Sequence, residues 1–138
     1  MTPGERAGVV AVRFFERLLH HPKGPQAGQP FRLEPWQREI VTQLFGTLDP
    51  RTGLRQYRRA YIEVPRGNGK STFAAGLALF LLLADNEPGA EIFSAAADRE
   101  QARLVFDTAK AMVEDAPELR KRVKTYRHSL VVESSRSV

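Results

Sequence analysis

An α/β fold is expected of this 138-residue chain, because a short strand-like run is twice followed by a long helical one. Ala60-Tyr61-Ile62-Glu63-Val64 reads as a strand and residues 70–84, which contain no Pro, as a helix. Ala90-Glu91-Ile92-Phe93-Ser94 and the helical pattern over 98–114 repeat that order. At the first junction stands Val64-Pro65-Arg66-Gly67-Asn68-Gly69-Lys70-Ser71. Its second half, Gly69-Lys70-Ser71, matches the end of G-x-x-x-x-G-K-[ST], in which backbone N–H groups cradle phosphates, Lys reaches the β/γ oxygens and Ser or Thr holds Mg²⁺. Val64 occupies the first glycine position, so the match is partial.

A bare G-K-[ST] arises by chance in roughly one chain in fifteen of this length. Context therefore decides more than the three letters. A helix starting at Lys70 points its N–H groups and positive dipole end at the loop. Gly67 and Gly69 allow close approach of an anion and positive φ values. The competing reading is an ordinary strand-to-helix turn that uses Gly only for its geometry.

Composition bounds the rest. With 42% hydrophobic residues the chain is long enough for one domain, or part of one, with a real core. The absence of cysteine excludes disulfides and thiolate metal sites, and His20, His21 and His128 lack ligand spacing. The N-terminus has no basic-then-apolar signal layout, and the most apolar run, 73–84, is too short to span a bilayer. A soluble, cytoplasmic protein with no membrane partner is expected. The net charge of +5 gathers in two groups, Arg51, Arg55, Arg58, Arg59, Arg66 and Lys70 against a lone Glu63, and Arg120, Lys121, Arg122, Lys124 and Arg127 with no acid between them. Each group reads equally as a DNA-backbone contact or as a solvated face.

Along the chain, helical spacing over 5–20 ends at His21-Pro22-Lys23-Gly24-Pro25, and 24–30 reads as an irregular connection. Residues 1–30 thus form an N-terminal helix and connecting loop ahead of a main unit, 31–138. Pro35 opens a helix running to Leu44 or Phe45, with Gly46 as its C-terminal stop. Asp49-Pro50-Arg51-Thr52-Gly53 is a loop or short hairpin, and Asp85-Asn86-Glu87-Pro88-Gly89 is a further turn. Asp98 caps a helix to about Glu114 that buries Ala102, Val105, Phe106, Ala109, Met112 and Val113. Pro117 opens a short basic helix, and Ser129-Leu130-Val131-Val132-Glu133 reads as a third strand.

Leu33-Glu34-Pro35-Trp36-Gln37, the loop 64–71 and Phe93-Ser94-Ala95-Ala96-Ala97-Asp98-Arg99-Glu100-Gln101-Ala102 together resemble the large terminase subunit of tailed bacteriophages, in order and spacing, over nearly the whole chain. The resemblance implies a P-loop NTPase of the additional-strand type, a three-layer α/β/α fold with a mostly parallel sheet, followed in the family by a nuclease of RNase H-like fold. It implies ATP and Mg²⁺ as cofactors, double-stranded DNA as substrate, and the portal protein, the small terminase subunit and other large-subunit copies as partners.

Residue by residue, the resemblance assigns nucleotide binding to Gln37 and to Pro65, Arg66, Gly67, Asn68, Gly69, Lys70, Ser71 and Thr72. Gln37 matches the adenine-recognising glutamine, whose amide both donates and accepts; a surface Gln on an amphipathic helix stands as the alternative. Lys70 matches the P-loop lysine and Ser71 the Mg²⁺ ligand. Arg66 matches an arginine aimed at the γ-phosphate, where a planar, permanent charge stabilises phosphoryl transfer, so Arg66 and Lys70 are the catalytic candidates. Trp36 is read as core in preference to a stacking residue, and Asp98 as a helix N-cap in preference to a coupling residue. Arg99 and Arg103 stand between DNA contact and exposed helical face.

Transfer of a phosphoryl group to water also needs carboxylates to organise Mg²⁺ and orient the nucleophile. The family places an Asp-Glu pair at the end of a later strand, whereas Glu114-Asp115 ends a helix before Pro117. The P-loop fold is therefore expected to be incomplete, lacking the Walker B region and the nuclease, with very slow or no ATP turnover by this chain alone. The family's sheet also sets later strands between the P-loop strand and the next. The competing functions are a non-hydrolytic DNA-binding or assembly fragment and a fragment of a P-loop helicase or kinase.

Overall fold

Thr2 begins the first helix by closing a reciprocal cap: its hydroxyl accepts from the Glu5 N–H at 3.1 Å, and the Glu5 carboxylate accepts from the Thr2 N–H at 3.3 Å. With Pro3 in the first turn, this sets α1 at Pro3–Arg13. In the computed structural model, which describes residues 1–22, 24–65, 69–85, 89–96 and 98–132, α1 runs directly into a π-helical turn at Phe14–Leu18.

Helix α2, Pro35–Gly46, starts on Glu34 and lies against α1. The expectation that Gly46 stops this helix is corrected: it is the last helical residue, and Thr47 beyond it is extended at φ −96°. Its lack of a side chain serves a crossing, since a Cβ on Gly46 would stand 3.0 Å from the Gly4 carbonyl oxygen and 3.4 Å from the Gly8 Cα. Beyond α2 the expected hairpin forms, with the Asp49 N–H on the Leu54 carbonyl at 2.8 Å and Gly53 at φ +72°.

Helix α3, Lys70–Leu83, is the centre of the core. Phe73, Leu79 and Phe80 are buried, and Phe80 meets Phe14 and Phe45 at ring distances of 5.5 and 4.5 Å. Gly76 admits the Phe15 ring, which a Cβ at that position would overlap. Helix α4, Arg99–Asp115, packs on α3 and is capped as expected, with the Asp98 carboxylate accepting from the Gln101 N–H at 2.8 Å. Ala109, Met112 and Val113 are buried, while Ala102, Val105 and Phe106 are only partly so. No helix among the described residues is long and apolar enough to cross a membrane.

The expected sheet is where sequence and structure part. Helix α5, Pro117–Arg120, leads into β1, Lys124–Thr125, which pairs antiparallel with β2, Leu130–Val131. The third expected strand is thus present at 130–131, and its partner lies in a stretch read only as basic. The strands expected over 60–64 and 90–94 join no ladder among the described residues. A strand is completed by a neighbour's N–H and C=O groups. These two segments do not pair with one another, and Tyr61 and Phe93 stand 89% and 84% exposed.

Candidate functional site

The phosphate-loop motif folds as its glycine requires at the helix end. Gly69 is left-handed at φ +69°, ψ 28°, and a Cβ there would meet nothing within 4 Å, so the backbone angle and not space calls for Gly. Among the described residues no side chain caps α3, whose 14 residues run from Gly69 into the core. Its first-turn N–H groups and dipole end face the position an anion would take. Lys70 is exposed there, with Ser71 and Thr72 half-buried behind it and Pro65 exposed at the other side of the loop. Arg66, Gly67 and Asn68 lie outside the described residues.

The opposite end of α3 is held by two members of the basic groups. The Arg122 guanidinium donates to the Leu83 carbonyl at 3.1 Å, and Arg55 pairs with Asp85 while lying 5.6 Å over the Phe45 ring. These two arginines brace the helix end, although Arg122 is itself exposed, as are Arg58, Arg59, Arg120, Lys121 and Arg127. On α4, Arg103 is exposed and sits 3.7 Å from Asp107, one helical turn on, and Arg99 is exposed in the first turn.

Gln37 is 5% exposed, which removes the reading of a surface glutamine. Its side-chain oxygen accepts from the Glu34 N–H at 2.9 Å, closing a capping box in which Glu34 accepts from the Gln37 backbone. Trp36 is half-buried with its ring edge-on to Phe73 at 5.7 Å, in keeping with a packing role.

The connection between α1 and α2 brings in residues that the sequence did not single out. Three backbone hydrogen bonds close it: His21 N–H to Gln29 at 2.9 Å, Gly28 N–H to His21 at 2.8 Å, and Phe31 N–H to Leu19 at 2.9 Å. His21 stacks on Phe31 with ring centroids 4.7 Å apart and planes at 10°. Loss of solvation on burial lowers the His21 pKa below its ordinary 6.5. The recoverable signal was the pair of glycines, Gly24 and Gly28, both with positive φ, which let a Pro-rich stretch fold back and bring its ends together.

A cleft of about 920 Å³ joins these parts. Its lining includes Trp36 and Gln37 of α2, the stacked His21 and Phe31, Arg32 and Glu34, and Gly69 and Thr72 at the start of α3. A second cleft of about 840 Å³ shares Trp36 but runs along 57–65, away from α3's first turn.

Comparison with known proteins identifies the family. The family model described as "Terminase large subunit, ATPase domain" matches residues 35–138. The terminase large subunit of Enterobacteria phage HK97 is 35% identical over 120 residues, covering 86% of this chain and 22% of that protein. The crystal structure of the HK97 bacteriophage large terminase superposes with a TM-score of 0.79 at 30% identity, over 99% of this chain and 26% of that one. The chain thus spans about a quarter of the length of the proteins it matches, in a region of P-loop NTPase-like α/β fold. With a family model covering residues 35–138 and a relative 35% identical over 86% of its length, the chain belongs to the terminase large subunit family, within its ATPase domain.

Proposed function

We propose that the chain binds Mg²⁺-ATP across the cleft between α2 and the start of α3, as the nucleotide-holding part of a phage DNA-packaging ATPase. The single observation behind this is that one cleft is lined both by Trp36 and Gln37 of α2 and by Gly69 and Thr72 at the start of α3. The uncapped start of α3 and its left-handed Gly69 fit a phosphate group. Gln37 keeps two amide donors and a second lone pair for an adenine edge while its oxygen caps α2. In this proposal Lys70 would serve the β/γ oxygens, Ser71 with Thr72 beside it would hold Mg²⁺, and Pro65, Arg66, Gly67 and Asn68 would supply the rest of the loop, with the permanent charge of Arg66 serving the γ-phosphate. Bound Mg²⁺ supplies neutralisation of phosphate charge.

Hydrolysis and translocation of double-stranded DNA belong, in this proposal, to the whole protein, with water-orienting carboxylates from outside these residues. Portal protein, small terminase subunit and other large-subunit copies are its partners, in the cytoplasm of the host cell. Titration calorimetry tests the nucleotide site: Mg²⁺-ATP binds the wild-type chain, and Lys70→Ala removes the binding. Equal affinity in the variant would refute the assignment.

The exposed Arg58, Arg59, Arg120, Lys121 and Arg127 support a second reading, a duplex-DNA contact. It requires affinity that falls steeply with salt, and salt-insensitive binding would count against it.

A further inference from the structure

We infer that Glu16, in the π-helical turn between α1 and the connecting loop, is a positioning residue that sets Gln37 relative to the start of α3 at Gly69 and so controls discrimination of the nucleotide base. The inference rests on the nucleotide site proposed above. Glu16 is not in the cleft; it acts on the backbone that carries Gln37.

One Glu16 oxygen accepts from the Leu33 N–H at 3.2 Å, and the Arg38 guanidinium donates to both carboxylate oxygens at 2.9 and 3.0 Å. Leu33 and Arg38 flank the segment 34–37, in which Glu34 and Gln37 cap each other. Glu16 therefore grips both sides of the first turn of α2 with Gln37 in the middle. Its side chain is 25% exposed, so these charge-assisted bonds are only partly open to water.

The neighbouring residue faces the other half of the site. Phe15 is fully buried, rests on Gly76 of α3 and meets Phe73 and Phe31 at ring distances of 5.8 and 5.6 Å. Adjacent residues of one turn thus hold the two elements that bear the two sides of the cleft, α2 through Glu16 and α3 through Phe15. A π turn widens the local repeat by a residue relative to an α turn, and such turns recur at functional sites.

The test compares Mg²⁺-ATP, Mg²⁺-GTP and inorganic tripolyphosphate on the full chain, in wild type, Glu16→Ala, Glu16→Gln and Arg38→Leu. Tripolyphosphate reads the phosphate end alone and doubles as a check on the fold. The expected result is a roughly tenfold fall in the ATP-to-GTP affinity ratio for Glu16→Ala, tripolyphosphate affinity unchanged, and partial retention of the ratio in Glu16→Gln, which keeps an acceptor for the Leu33 N–H. An unchanged ratio in Glu16→Ala overturns the inference. If Glu16→Ala loses every ligand together, Arg38→Leu decides, because the Arg38 side chain is 54% exposed: a selective fall in the ratio supports the inference, and an unchanged ratio or a uniform loss overturns it. A wild-type chain that binds tripolyphosphate with no preference for ATP over GTP refutes the role proposed for Gln37, and with it the inference.

Discussion

The N-terminal helices and the extended segments behave in opposite ways. From Pro3 to Gly46, and again along α3, each element finds its partners within the described residues: α1 on α2 through glycines, Phe15 on Gly76, Glu16 on Leu33 and Arg38. The segments 60–65 and 90–96 instead carry neither helix nor strand, join no ladder among the described residues and present Tyr61 and Phe93 to solvent. A helix satisfies its backbone within itself and needs only a face to bury, whereas a strand depends on a neighbour supplied from elsewhere. In this chain the described residues of the candidate cleft belong to the helical, self-sufficient region.

Substitutions that contrast the regions give the largest effects. Phe15→Ala, in the fully buried position between α3 and the connecting loop, is expected to cost about 3–5 kcal/mol in urea denaturation. Phe93→Ala, at 84% exposure, is expected to change stability by no more than about 0.5 kcal/mol. Comparable losses at the two positions would erase the contrast. Next comes Gly4→Ala, which drives a methyl group into the Gly46 carbonyl; because backbone must move, about 1–3 kcal/mol is expected in the same assay. A neutral effect would mean that the α1–α2 crossing is looser than the structure has it.

The smallest expected effect is electrostatic. Burial against Phe31 lowers the His21 pKa, so between that value and 6.5 the unfolded chain binds more protons than the folded one. Stability from this group is complete above pH 6.5 and is lost as the pH falls through 6.5 toward the folded-state value. Denaturation midpoints at pH 7.5 and 5.5 should therefore fall on acidification, by less in His21→Gln than in wild type. An equal fall in both would place the pH dependence elsewhere.

What the sequence made legible follows the same division. The Asp98 cap, the start of α2 at Pro35 and the course of α3 from Lys70 were readable because capping and periodicity act within a few residues. Gly46 was misread because its neighbour, Gly4, lies some forty positions away and only the helix crossing relates them. The β-propensity of 60–64 and 90–94 was real, but propensity does not name a pairing partner. For the candidate site, Gly69 to Ser71 stood out by their motif and Gln37 and Thr72 through the family resemblance, and the cleft brings Gln37, Gly69 and Thr72 together. His21, Phe31 and Arg32 were missed since they enter through loop closure by Gly24 and Gly28, which carries no chemical motif of its own. Arg55 and Arg122 belonged to charge clusters by sequence and to the end of α3 by structure.

The central claim, that base and phosphate ends form one site, is tested most directly by hydrogen exchange on the wild-type chain with and without Mg²⁺-ATP. The account expects slowed exchange in both 33–38 and 69–75, with the N–H groups of 99–115 unchanged. Protection confined to one of the first two segments, or absent from both at saturating nucleotide, would contradict it.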